Sequence, residues 1–448
     1  MMPFEWEGPL DLVIIGGGLA GLACASEALR QGRRPLLVEA APRLGGRVAS
    51  HWDRRWGCVL DNGPHLLVGA YKETLAWLAQ LGVQEGLQRG TAYHFYTPQH
   101  GHHKLSLGPG WAAWRLGRGL AQLPGLSGGE LWSLRGLLPA LWREHVRGAA
   151  HALTVTQWLQ RAGSPPQLFE RLWEPLCLAT LNEGPGSADA HLFAGVLSRL
   201  FLWNSADAQP LYPTQDLSSL LVEPARRWIE QRGGVIRTGL RLQGLEQSQQ
   251  QITALILHSA TEGVTWHLPA GLPVVLAIPH WSLASLLPQW AQQQGWTEWP
   301  AAPIVAVHLR YDGAVKQPAP MVGMPGSVSQ WLCQWPMAAG EGRISAAISA
   351  AYREVSWQSQ RLIDAVHQDV VAQQPQLAGM QPQGRVIKTQ RATFASWPGV
   401  NRWRPNGRCT PWHNMYLAGD WTATGLPATI EGAVQSGRQA AQAIFTPR

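Results

Sequence analysis

Gly16, Gly18 and Gly21 stand in the spacing Gly-x-Gly-x-x-Gly, between a β-branched apolar run at 12–15 and a helical pattern at 22–30. In that setting the first glycine permits a tight turn, the second lets the backbone approach a pyrophosphate, and the third packs helix against strand. The N–H groups of Leu19, Ala20 and Gly21 at the helix start then offer partial positive charge to phosphates. Glu39 closes a second buried run and is placed to accept a hydrogen bond from an adenosine ribose. A ligand-free glycine turn is the bland alternative, and strand, helix, strand and acid in register weigh against it. Arg43-Leu-Gly-Gly-Arg47 adds two glycines for close backbone approach and two arginines as charge-assisted donors. Gly419-Asp420 follows another apolar run near the other end of the sequence. His65, in a Gly-Pro-His turn, is the first candidate for a proton donor near neutral pH. A structural histidine bonded to carbonyls competes evenly with that reading. Tyr71, Glu174, Asn182 and Tyr212 are weaker candidates.

These residues need elements to hold them. The opening βαβ pattern predicts a doubly wound parallel sheet. From 74 to 158 the pattern turns helical and loop-rich, with Trp77, Trp111, Trp114, Trp132, Trp142 and Trp158 along it. Residues 233–257 read as strands and hairpins, 274–279 as a buried strand, and 304–311 as an alternating strand. The stretch from 415 reads as strand, loop and a helix over 429–444. Two interleaved domains follow. One, discontinuous, comprises 1–75, 213–285 and 385–448 and binds the dinucleotide; 76–212 and 286–384 form the substrate domain.

Composition limits the alternatives. The 448 residues are 45% hydrophobic and only 15% charged, which excludes a disordered chain and points to apolar surface or cavity. The net charge is +7, yet no Lys/Arg run of nucleic-acid type occurs, so nucleic acid is not an expected partner. Five scattered cysteines show neither a disulfide framework nor zinc spacing, so no metal is expected and a reducing cytoplasm is the expected location. The start is acidic where a signal peptide would be basic. The longest apolar run, 12–25, falls short of the ~20 residues of a membrane span.

The glycine motif alone does not separate NAD from FAD. With 43–47 and Gly419-Asp420, the sequence resembles the flavin amine oxidases and carotenoid desaturases, which implies FAD. A narrower likeness rests on Asp61-Asn-Gly-Pro-His65 through Tyr71, Trp173-Glu-Pro175 through Asn182, Ala392-Thr-Phe394, Arg404-Pro405, and Gly419 through Gly437. These resemble the hydroxysqualene dehydroxylases, squalene-associated FAD-dependent desaturase-like enzymes of bacterial hopanoid biosynthesis. Pro64 stands where many relatives carry glutamine.

The likeness implies an α/β fold: a Rossmann-like FAD-binding domain interleaved with an α+β substrate domain, of flavin amine oxidase or phytoene desaturase type. It further implies that Gly45, Gly46, Ala40, Gly63, Pro64, His65, Leu242, Thr429 and Ile430 line the cofactor with the motifs above. The implied reaction is reductive removal of the hydroxyl of hydroxysqualene, with His65, Tyr71 and Glu174 as the catalytic set. Trp173 and Trp421 offer aromatic faces to a passing cation. There is no second dinucleotide motif, so electrons are expected from the substrate, a visiting reduced nicotinamide or a reductase. An oxidative isoprenoid desaturase is the nearest rival. An amine oxidase, short here of lysine and of a cage aromatic, and a flavin-free prenyl binder stand further off.

The substrate would be dissolved in a bilayer. Residues 105–148 mix arginines and tryptophans among leucines, and would either dock on the inner face of the plasma membrane or cover the substrate cavity.

Overall fold

The computed structural model describes residues 8–106, 108, 117–125, 127–147, 153–313, 315–334, 342–408 and 410–445, with the side chains of 145–147 excepted. Its centre is a five-stranded parallel sheet in the order Val235–Thr238, Pro35–Glu39, Leu12–Ile15, Val274–Leu276 and Met415–Leu417. The sequence of Leu12–Ile15 is uniformly apolar because the strand is buried on both faces, as parallel strands are. Helix Leu19–Arg30 crosses the last helix, Ile430–Phe445, at glycine distance. A Cβ on Gly437 would lie 2.0 Å from the Ala20 carbonyl oxygen, so only glycine permits this approach. That crossing brings the two ends of the sequence to one site.

A second sheet has seven strands, in the order Gln383–Phe394, Ala301–Tyr311, Gly342–Ile348, Gln330–Cys333, Met321–Met324, Tyr93–Thr97 and Gly101–Leu105. Helix Ser359–Gln373 covers it through Leu362, Val366 and Val370, all buried. A three-stranded antiparallel meander, Arg241–Ser248, Gln251–His258 and Gly263–His267, stands apart from both sheets.

Two sequence expectations need correction. Strand Gln383–Phe394 pairs along Ala301–Tyr311, so residues 385–394, expected with the dinucleotide domain, join the seven-stranded sheet instead of the five-stranded one. The region expected to be helical from 74 to 158 also contributes strands Leu87–Arg89, Tyr93–Thr97 and Gly101–Leu105. Tyr93–Thr97 is rich in aromatic residues, and it buries Phe95 and Thr97 while its other residues stay partly exposed. Of the Trp- and Arg-rich stretch, 107, 109–116, 126 and 148 lie outside the described residues. The remainder includes helix Gly128–Ser133, closed at its start by a Ser127/Glu130 capping box, and helix Leu137–Arg147. Leu134, Leu137 and Leu141 enter the core, whereas Trp132 and Trp142 are 68% and 62% exposed.

Candidate active site

The three motif glycines have separate duties. Gly16 has φ +113°, and a Cβ there would meet the Ala277 carbonyl oxygen at 2.4 Å. A Cβ on Gly21 would lie 1.9 Å from the Gly16 oxygen. Gly18 is different: nothing lies within 4 Å of its Cβ position, so the space in front of it is open. Helix Leu19–Arg30 begins there with no side-chain cap and no acid in its first turn, which leaves its first N–H groups to an anion. The Glu39 carboxylate is fixed beside this cradle, accepting from the N–H of Gly17 at 2.6 Å and of Ala41 at 2.7 Å. Gly239 and Leu240 donate to the carbonyls of Ala41 and Glu39, which sets the start of the Leu242 strand beside Ala40. An open cradle, free N–H groups and a fixed carboxylate together fit a dinucleotide.

The 43–47 loop backs onto the same turn. Gly45 N–H donates to the Gly17 carbonyl at 2.8 Å, and Gly18 and Gly45 pair in a short parallel bridge. A Cβ on Gly46 would touch the Gly18 Cα at 3.4 Å. Arg43 is exposed and makes no hydrogen bond among the described residues. Arg47 does not stand free for a phosphate, as the sequence suggested. Its Nη1 and Nη2 each lie 2.7 Å from a different oxygen of Asp420, and Nη1 also donates to the Ala392 carbonyl at 2.9 Å. This fork-to-carboxylate pair joins residues 373 positions apart, and the Asp420 charge raises the Arg47 pKa against the opposing effect of burial. Gly419, at φ +143°, is roofed by the Trp421 indole and donates to Ser436 Oγ at 3.0 Å. Thr429 Oγ1 accepts from Gly432 N–H and starts the last helix, while Ile430 is buried in the core.

The His65 turn is held by its neighbours. Asn62 Nδ2 donates to the Arg47 carbonyl, His308 Nε2–H donates to the Asp61 carbonyl at 3.1 Å, and the Gly63 Cβ position lies 3.6 Å from Ala306 Cβ. Pro64 follows, partly buried. His65 Nδ1–H donates to the Gly63 carbonyl at 2.8 Å, which leaves Nε2 as the open ring position. Burial lowers the His65 pKa and the Arg47 charge adds to this, against the Gly63 bond and the Asp61 charge. The balance favours the neutral ring, with the proton on Nδ1 and Nε2 as the open position.

Tyr71 and Glu174 are not joined to His65 by any hydrogen bond. Tyr71 precedes helix Lys72–Leu81 and packs against the core of the parallel sheet, its phenol pKa raised by burial. Glu174 opens helix Glu174–Leu181. Burial, and then the Glu170 charge, raise its pKa, so it keeps a proton more readily than an exposed carboxylate. Trp173 is buried and donates to Ser164 Oγ at 2.7 Å. Asn182 is structural: its amide bridges Ala302, Thr393 and the Ala350 N–H.

The sequence matches the flavin-containing amine oxidoreductase family over residues 19–445. The chain belongs to that family. Within it, the chain is 34% identical to the hydroxysqualene dehydroxylase of Rhodopseudomonas palustris over 438 residues, 96% of this chain and 97% of that one. It is 31% identical to the hydroxysqualene dehydroxylase of Sinorhizobium fredii, over 97% and 98%. The 15-cis-phytoene desaturase of Solanum lycopersicum is 26% identical over 97% of this chain and 78% of its own length. Among solved structures, cyclohexylamine oxidase from Brevibacterium oxydans shares the fold at TM-score 0.70 and 17% identity, covering 98% and 99% of the two chains. The chain is an FAD-dependent oxidoreductase of flavin amine oxidase fold, and the cradle described above fits that cofactor.

In this flavin-containing oxidoreductase, two residues of the site were assigned no function in the sequence reading, although Arg404-Pro405 helped carry the family likeness. Arg404, 5% exposed, grips the loop after Gly419, donating to the carbonyls of Asp420, Trp421 and Thr422 and to Thr424 Oγ1. Burial pushes its pKa down to about 10. His280, just beyond strand Val274–Leu276, stacks on Trp299 at 4.4 Å and donates from Nε2 to the Trp299 carbonyl. Burial pushes its pKa down to about 4, although the Asp420 charge acts the other way. An arginine before a proline was the only sequence signal for the first. For His280 there was none.

Proposed function

We propose that the chain removes the hydroxyl of hydroxysqualene reductively, giving squalene. The reading is carried by the placement of His65, whose turn is tied through Asn62 to Arg47 and so to the Arg47–Asp420 pair. End-to-end similarity to hydroxysqualene dehydroxylases supports the substrate class. Bound and reduced, FAD supplies the hydride that replaces the hydroxyl. The chain's share is to hold the cofactor at Gly18, Glu39 and the 43–47 loop, and to deliver a proton to the leaving oxygen. His65 delivers it from Nε2 after taking up a proton there; Glu174 is the alternative donor, favoured by its raised pKa. Reducing equivalents come from outside the chain, through a reduced nicotinamide or a reductase.

A bilayer-dissolved substrate calls for contact with the cytoplasmic membrane surface. Exposed Trp132 and Trp142 support it, as does the Arg135 guanidinium 4.8 Å over the Trp132 ring. Among the described residues, no helix is long and apolar enough to cross a membrane.

The deciding experiment incubates the chemically reduced holoenzyme with hydroxysqualene and identifies the product by mass spectrometry. Squalene is the expected product. Anaerobic bleaching of the flavin by squalene, with a double bond gained and no dehydroxylation by the reduced enzyme, would replace this reading with an oxidative desaturase.

A further inference from the structure

We propose that a surface cavity beside the last helix binds a phosphate-bearing anion, held by Arg199 and Arg438. The cavity, about 380 Å³, lies between the start of helix Lys72–Leu81, the end of helix Ala190–Phe201 and the middle of helix Ile430–Phe445. None of its residues belongs to the cofactor cradle or to the catalytic set.

Three cations, Lys72, Arg199 and Arg438, face three acids, Glu73, Asp207 and Glu431. The formal charges cancel, so direction decides what binds. The acids are mostly occupied. Glu431 accepts from the N–H groups of Glu73 and Thr74 and from the Thr74 hydroxyl, capping helix Lys72–Leu81. Asp207 pairs with Lys72. Glu73 is partly in solvent, 3.3 Å from Arg438 Nη1.

The donors are not occupied to match. Arg199 is partly buried and makes no hydrogen bond or ion pair among the described residues. Nε of Arg438 is buried without a hydrogen-bond partner, while Nη1 and Nη2 face Glu73 at 3.3 Å and Glu27 at 3.6 Å in ion pairs, Nη1 without a hydrogen bond. Burial lowers the Arg199 pKa, and the Glu431 charge only opposes this. A shielded guanidinium with unfilled donors is costly unless something accepts from it. Phosphate oxygens, like carboxylates, match the arginine fork, and a phosphate brings more acceptors to a site shared by two guanidiniums. Trp203, 66% exposed, adds a flat apolar face for a ring or chain attached to the phosphate. The phosphate comes either on a free small molecule or on a lipid headgroup.

The test uses the FAD-loaded full chain. Inorganic pyrophosphate is titrated by calorimetry, and binding to phosphatidylcholine vesicles is measured with and without phosphatidic acid. Arg199→Gln should weaken whichever binding occurs by about tenfold or more, while flavin absorbance reports an intact fold. Pyrophosphate binding that depends on Arg199 identifies a free ligand; Arg199-dependent vesicle binding alone identifies a headgroup. Arg438→Gln should weaken binding as well, and if that variant fails to fold, Arg199→Gln decides. No binding of either probe at millimolar concentration, or binding indifferent to Arg199→Gln, overturns the proposal.

Discussion

At Gly18 an added Cβ stands clear of every protein atom within 4 Å, whereas at Gly21 it would press to 1.9 Å from a carbonyl oxygen. Gly18→Val should therefore fold and lose FAD, measured as missing flavin absorbance at near-wild-type secondary structure. Gly21→Val should be destabilised by about 3 kcal/mol or more, measured by denaturant titration. A second prediction concerns His65. As a donor it works from its protonated form, and its pKa lies below the ordinary value, so turnover should rise as pH falls from 8 toward 6. His65→Ala should slow turnover by ~10²–10⁴-fold with FAD retained. If instead His65→Ala leaves the pH profile unchanged and Glu174→Gln abolishes it, the proton comes from Glu174. The glycine motif was legible because each glycine answers a local demand of a turn and its ligand. Arg404 and His280 were not, since their partners arrive from other segments of the sequence.

Among the elements, strand Ala301–Tyr311 carries a buried titration. Its His308 is 4% exposed, bonded to Ser345 Oγ and the Asp61 carbonyl, and burial pushes its pKa down to about 4. The folded chain keeps this ring neutral, and so does it with His280. An unfolded chain would take up protons near pH 6.5, so stability falls as pH drops from there toward 4. Each ring accounts for about 3 kcal/mol at most. His308→Gln should flatten the loss of Tm on acidification, and an unchanged slope would place it elsewhere. The strands themselves were unevenly legible. Runs such as Leu12–Ile15 and Val274–Leu276 announce burial on both faces. Gln383–Phe394 carries Arg385, Lys388 and Arg391 along a long edge, and only its pairing with a strand some 80 residues earlier fixes which sheet it joins.

For the whole molecule, the exposed pair Trp132 and Trp142 lies in a segment whose Leu134, Leu137 and Leu141 are buried, so the same segment covers the core and offers a face outward. Substituting both tryptophans by glutamate should reduce co-sedimentation with anionic liposomes while dehydroxylation of detergent-dispersed substrate persists. Unchanged co-sedimentation would assign the segment to covering alone. The Arg47–Asp420 pair and the Ala20–Gly437 crossing also bear on synthesis. While the ribosome is still short of residue 415, the nascent chain lacks the fifth parallel strand, the counter-charge of Arg47 and the helix that covers Leu19–Arg30. Closing so long a loop is slow compared with forming the local βαβ unit. Until those late segments have been made, the early βαβ unit stands with an open sheet edge, an unpaired Arg47 and an uncovered helix face.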